Sequence, residues 1–203
     1  MTDTTPEMID IVFDLDGGTL PTAYPFALWA ALIHRVPRLA EEKLVGILPL
    51  RGTGNNEGLL LPKRAKLVMR LPITLSEHTA AHMTGQQLDI GGHSIRIGAA
   101  KTRPIHPYPT IHAQLVAGIS DEVLFVENIN AQLDEMRIKG KLICGKRRAI
   151  NDDQQSMQGY SLVVHDLKPE ASLQLQFVGL GEGRQFGCGV FVPYKVISGL
   201  SEG

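Results

Sequence analysis

The 203-residue chain has only two cysteines, Cys144 and Cys188. A disulfide framework or a cysteine-built zinc cluster needs more sulfur than that, so two reduced thiols are expected. No apolar run approaches the roughly 20 residues that span a bilayer. The opening MTDTTPEMID is polar and acidic, not a basic segment followed by an apolar one, so it does not read as a secretory signal. A cytoplasmic protein without membrane contact is expected. Aromatic residues make up 5% of the chain, too few for broad base stacking on nucleic acid. An excess of one charge is missing too: 20 Lys and Arg stand against 21 Asp and Glu, for a net charge of −1. That argues against a uniformly basic nucleic-acid binder. Hydrophobic residues reach 43%, ample for a globular core.

The charge is unevenly spread. Residues 137–148 hold six cations (Arg137, Lys139, Lys141, Lys146, Arg147, Arg148) and no acid. A local cluster of this kind attracts a phosphate backbone even when the whole chain is near neutral. The same pattern also suits a solvated edge strand.

The periodicity of apolar residues predicts two similar halves. IDIVFDL, residues 9–15, alternates as a strand, with Ile9, Ile11, Phe13 and Leu15 on one face and Asp10, Val12 and Asp14 on the other. A helix over 24–36 carries Phe26, Trp29, Ile33 and Val36 at helical spacing and stops at Pro37. Strands over 44–50 and 65–71, a helix over 73–83, and a hairpin over 87–98 turning at Gly91-Gly92 complete the first unit. The second unit has strands over 113–119, 138–144, 159–165 and 188–193 and helices over 121–136 and 169–177. Polar residues 149–158 read as a mobile loop. Two β-α-β-β-α-β units imply an α+β fold of two tandem ferredoxin-like domains. They span 1–100 and 113–203, joined by a linker over 101–112 that contains Pro104, Pro107 and Pro109.

Two motifs invite chemistry. VFDLDGGTL, residues 12–20, approaches the D-x-D-G-T signature of phosphatases with an aspartate nucleophile. An extra glycine displaces the backbone amides that would cradle phosphate, and such enzymes place their aspartates at the ends of parallel strands. The second motif is GLGEGRQFGCG, residues 179–189. Closely spaced glycines let consecutive amides form a concavity for anions, with Arg184 as a charged contact. It is neither a Walker loop, having no Gly-Lys-[Ser/Thr], nor a dinucleotide fingerprint.

GLGEGRQFGCGVFVP resembles the C-terminal Gly-rich loop and last strand of the CRISPR-associated repeat endoribonucleases, the Cas six family. GYSLVVHDLKPEASLQLQFVGLG, residues 159–181, resembles the strand and helix leading into that loop. VFDLDGGTLPTAYPFALWAAL and residues 84–116 resemble a branch first noted in myxobacteria and cyanobacteria. The resemblance implies two ferredoxin-like domains and cleavage of precursor CRISPR RNA within its stem-loop repeats. It implies that the 2′-OH attacks the adjacent phosphorus, leaving a 2′,3′-cyclic phosphate and a 5′-OH, with no metal and no cofactor. Other Cas subunits are implied as further partners.

His34, at the end of the first helix and away from the centre of its apolar stripe, is then the first catalytic candidate, because histidine moves protons near neutral pH. Tyr24 is its rival. The branch often has Asp-His just before the helix, where this chain has Ala23-Tyr24. Ten helical residues separate Tyr24 from His34, about 15 Å. Ser156 could orient the 2′-OH. Lys139, Lys141, Lys146, Arg147, Arg148 and Arg184 would bind RNA, with the amides of Gly179, Gly181, Gly187 and Gly189. His106 and His112 could meet RNA between the domains. His78 and His82 stand at i, i+4, a metal-binding spacing that lacks a third ligand nearby. A non-catalytic RNA-binding subunit remains the alternative to an enzyme, with the phosphatase a third reading.

Overall fold

The computed structural model describes residues 5–55 and 58–194. The first four residues of the polar start, and 195–203 of the expected second domain, lie outside the described residues.

In the first half, β1 (Met8–Gly17) buries Ile11, Phe13 and Leu15. After the short β2 (Thr19–Leu20), α1 (Tyr24–Arg35) begins with Pro25 in its first turn, where the missing N–H is no loss. Its buried residues are Pro25, Phe26, Leu28 and Leu32, with Trp29 and Ile33 only half-buried. The apolar stripe is therefore rotated from the expected one, and His34 still faces outward. The expected strand over 44–50 shrinks to β3 (Gly46–Ile47). A hairpin of β4 (Thr53–Asn55) and β5 (Gly58–Leu60) pairs with β2 in a small extra sheet that the apolar pattern did not signal. Then come β6 (Lys66–Pro72), α2 (Ile73–Met83), β7 (Gln87–Ile90) and β8 (His93–Pro104). The β7–β8 turn is the two-residue Gly91-Gly92, both at positive φ.

The second half comprises β9 (Ile111–Ala117), α3 (Glu122–Glu135), β10 (Lys141–Asn151), β11 (Ser156–His165), α4 (Pro169–Val178) and β12 (Val192–Pro193). Two corrections arise here. Residues 149–158 are mostly the outer end of the β10–β11 hairpin, paired from Ala149↔Gln158 to Asn151↔Ser156. A polar sequence pairs in this way because hairpin hydrogen bonds need no buried face. The expected strand over 188–193 shortens to its last residues, because Gly189 is at positive φ. β8 runs through Pro104 and β9 begins at Ile111, so only 105–110 separate the two sheets.

The sheets run β3-β6-β1-β8-β7 and β10-β11-β9-β12. In each, the second, third, first and fourth strands of a β-α-β-β-α-β unit lie side by side, and neighbouring strands run antiparallel. The protein is a tandem ferredoxin-like fold. One core gathers around Phe13, Leu32 and Met69, and the other around Phe125, Leu162 and Phe191.

The helix-free side of the first sheet is not all solvent. Asp10, expected on an exposed strand face, is buried and paired with Arg70 at 2.8 Å and Arg103 at 2.9 Å. Its partner Arg70 reaches on into the second domain, donating to the carbonyls of Gln176 and Phe191.

Candidate active site and nucleic-acid interface

The last turn of α1 carries His34 and Arg35, both exposed. They line an open cleft of about 500 Å³ together with Ala27, Ala30 and Ala31 of the same helix, and Gln87, Leu88, Asp89 and Gly91 of β7 and its turn. Small alanines on this side of the helix leave the room. An imidazole and a guanidinium thus line the same open cleft. This arrangement can move a proton and hold a phosphate at one place. Arg35, Gln87 and Asp89 were not singled out from sequence; the His34-Arg35 pair at a helix end was the one available signal.

Tyr24 sits at the opposite end of α1. Its hydroxyl oxygen accepts the Leu50 backbone N–H at 2.8 Å. Burial pushes the phenol up to about 12, against the weaker opposing effect of that hydrogen bond. A phenol so held stays protonated at neutral pH and faces the protein. In the structure Tyr24 anchors the chain at Leu50. Ser156 lies on the other domain, at the exposed end of the β10–β11 hairpin, where its hydroxyl donates to Asn151 Oδ1. It does not line the His34 cleft.

The basic stretch forms the exposed β10 strand and its approach. Lys139, Lys141, Lys146, Arg147 and Arg148 are all exposed. Lys141 pairs with Asp166 at 2.9 Å, and Arg147 donates to Gln158 Oε1 at 3.1 Å. A bulge between Cys144 and Arg147 twists the ribbon. Beyond Gly159↔Ala117, where β11 parts from β9, the ribbon continues as two strands, Ala149–Asn151 against Ser156–Gln158.

The Gly-rich segment does something different from the expected anion cradle. Gly179 N donates to Leu175 O, Gly181 N to Gln132 Oε1, Gly187 N to Arg184 O, and Gly189 N to Leu115 O. All four amides are thus engaged within the protein and cannot form a free concavity for phosphate. Glycine is required for close packing instead: a Cβ on Gly189 would stand 2.0 Å from Leu180 O. Arg184 is turned inward as well. It is 5% exposed, and its Nε and Nη2 donate to Leu44 O at 3.4 and 3.3 Å. It cannot reach a surface phosphate.

The other histidines lie apart. His106 is exposed, and its carbonyl accepts from Gln176 Nε2. His112 is half-buried, edge-on to Tyr194 with ring centroids 5.3 Å apart. His82 Nδ1 lies 2.8 Å from the His78 carbonyl, which engages that nitrogen. The phosphatase reading fails on the same geometry. Asp14 is ion-paired with Lys66 on a neighbouring antiparallel strand, and both neighbours of β1, β6 and β8, run antiparallel to it.

Two β-α-β-β-α-β halves, a basic ribbon and a histidine–arginine cleft define a tandem ferredoxin-like protein equipped to handle RNA. The family model described as Cas6 Crispr matches residues 9–196, and the chain belongs to the Cas6 family. A CRISPR-associated endonuclease Cas6 of Myxococcus xanthus (strain DK1622) is 31% identical over 187 residues, covering 91% of this chain and 81% of the relative. Among solved structures, a Cas6-related protein from Pyrococcus furiosus superimposes with TM-score 0.69 at 12% identity, covering 91% of this chain and 98% of the other. A structure described as CRISPR associated protein Cas6 gives 0.65 at 15%, covering 93% and 100%. The endoribonuclease Cse3 bound to RNA gives 0.54 at 12%, covering 92% and 98%. At these identities the three structures establish a shared fold.

Proposed function

We propose that the protein is the endoribonuclease that cuts precursor CRISPR RNA within its stem-loop repeats, without a metal, releasing guide units. The observation that carries this is the exposed His34 beside Arg35 on the α1 cleft of a Cas6-family chain. In the reaction the ribose 2′-oxygen bonds to the adjacent phosphorus and the P–O5′ bond breaks. A proton leaves the 2′-OH and one arrives on the 5′-oxygen. His34 serves at one of these oxygens as acid or base, and Arg35 stabilises the charge that builds on the phosphorane. Dependence on the 2′-OH makes the enzyme selective for RNA.

The β10–β11 ribbon holds the RNA. Lys146, Arg147 and Arg148 meet phosphates, and the scarcity of aromatic residues leaves recognition to shape and backbone. Ser156, at the tip of that ribbon, contacts RNA there and not at the scissile bond. The protein works in the cytoplasm, with repeat RNA as its ligand and other Cas subunits as recipients of the product.

The test is incubation with cognate repeat RNA in EDTA, followed by analysis of the ends. Cleavage to a 2′,3′-cyclic phosphate and a 5′-OH, blocked by 2′-deoxy substitution at the attacking ribose, is expected. Tight binding without cleavage would instead identify a guide-holding subunit. That second reading draws support from the Ala23-Tyr24 pair, whose phenol oxygen is taken up by the Leu50 backbone.

A further inference from the structure

Two arginines cross the junction between the domains in opposite directions. Arg70, on β6 of the first domain, donates from Nη1 to Phe191 O at 2.6 Å and Gln176 O at 3.2 Å in the second. Arg184, in the Gly-rich segment of the second, donates to Leu44 O in the first. Their surroundings differ. Arg70 holds its own counter-ion, Asp10. Arg184 feels Asp10 only at a distance, because that carboxylate is already paired with Arg70 and Arg103. The Nη1 of Arg184 is buried and has no hydrogen-bond partner among the described residues. Burial, with repulsion from Arg70, draws its guanidinium down to about 9, so it remains charged at neutral pH.

A buried cation with one long-range acceptor stabilises a fold less than an apolar side chain of equal volume would. Packing alone therefore gives no reason for Arg184. Its position gives one. The Arg184–Phe186 turn packs on both α1 and β3. Phe186 sets its ring on Phe26 near the start of α1, with centroids 4.8 Å apart. Arg184 grips Leu44, in the segment that leaves α1 for β3. A Cβ on Gly46 would stand 3.2 Å from Arg184 Nη2, and one on Gly179 2.3 Å from Nη1, so both neighbours are shaped around this side chain. Between the two grips runs the helix that carries His34 and Arg35 at its end.

We infer that Arg184 is a positioning residue for the cleavage reaction: it clamps the α1-to-β3 segment to the second domain and thereby fixes His34 relative to RNA held on the β10–β11 ribbon. The inference rests on the reading of His34 as the reacting group. Displacing a reacting group by about 1 Å costs on the order of 100-fold in rate, so a loosened clamp acts on cleavage and leaves binding to the exposed ribbon intact.

The experiment compares Arg184→Met, Arg184→Lys and His34→Ala with the parent chain. Single-turnover cleavage of repeat RNA and the Kd for an uncleavable 2′-deoxy repeat are measured for each. Arg184→Met is expected to cleave at least tenfold more slowly with its Kd within threefold of the parent. Arg184→Lys, which keeps the charge and one donor for Leu44 O, is expected to recover part of that rate. A Kd loss that accounts for the slower rate would restore a direct phosphate contact and overturn the inference. A parental rate in Arg184→Met would overturn it too, and if the methionine variant does not fold, so would a parental rate in Arg184→Gln, whose shorter, uncharged side chain cannot hold Leu44 O from the same place. Full cleavage by His34→Ala would strike the catalytic reading instead, whatever Arg184 does.

Discussion

The hydroxyl oxygen of Tyr24 accepts the backbone N–H of Leu50 at 2.8 Å, tying the first residue of α1 to the chain beyond β3. That bond turns the phenol inward and leaves Leu50, itself buried, with its donor satisfied. Tyr24→Phe removes the acceptor and strands the N–H, at a cost of about 1–3 kcal/mol. The variant is expected to melt earlier yet cleave repeat RNA at the parental rate. A cleavage rate reduced by orders of magnitude, with the fold intact by circular dichroism, would return Tyr24 to the chemistry.

His34→Ala carries the opposite expectation. The side chain is exposed on an open cleft, so its loss costs little stability. Cleavage should fall by about 100-fold or more, the usual contribution of a positioned acid or base. Binding of the 2′-deoxy repeat should hold within a few-fold. Arg35→Ala should also slow cleavage, and Arg35→Lys should recover part of it, since a point charge still faces the phosphate.

The contrast between these two residues shows how far the sequence could be read. Elements with their own period were legible: α2 occupies Ile73–Met83 as expected, and Gly91-Gly92 makes the hairpin turn. His34 was legible as exposed because it lies away from the centre of the stripe expected from Phe26, Trp29, Ile33 and Val36, and it stays outward although the buried stripe is rotated onto Leu28 and Leu32. Asp10 was not, because strand alternation assigns it to a solvent face, whereas it lies buried against Arg70, whose guanidinium also binds the carbonyls of Gln176 and Phe191, more than 160 residues away from Asp10. Arg184 and its glycines misled for the same reason. Their local pattern admits an anion site, and only the approach of Leu44, Leu115 and Gln132 shows that the donors are already used. Residues 149–158 failed differently: a two-stranded ribbon standing free of any core has no apolar face to announce it.

The ribbon predicts a salt signature. Each phosphate neutralised by a cation contributes about 0.7 to 0.9 to the slope of log K against log salt. Arg147→Ala with Arg148→Ala should therefore flatten that slope by roughly 1.4 to 1.8 for repeat RNA, and weaken binding with little regard to sequence. Lys141→Ala should do less, because its ammonium already pairs with Asp166. An unchanged slope in the double variant would move the RNA off this ribbon.

At the domain junction, Arg70→Met leaves Asp10 buried with only the half-exposed Arg103 as partner. It also removes the donor to Phe191 O and Gln176 O. Breaking a buried pair from one side costs about 3–5 kcal/mol, a severe loss for a protein of this size. Restoring charge balance with Asp10→Asn in the same chain should recover part of it. Chemical denaturation of the single and double variants checks this; additive losses would mean that the two side chains are not coupled.

His112 gives the protein an acid-sensitive contact. Burial lowers its pKa below the ordinary 6.5, the Val192 backbone opposes the shift, and Arg51 reinforces it. The folded imidazole therefore binds a proton less readily than the unfolded one. Below pH 6.5 the unfolded chain takes up the proton first, so the stability present above 6.5 drains away as the pH falls through the lower folded value. One proton sets a ceiling of about 1.4 kcal/mol per pH unit on this contribution, and a half-buried ring delivers less. Melting temperatures measured from pH 8 to pH 5 should fall more steeply for the parent than for His112→Gln, which cannot titrate. Parallel curves would mean that His112 titrates alike in both states, and that the edge of Tyr194 and the Val192 backbone do not hold it neutral.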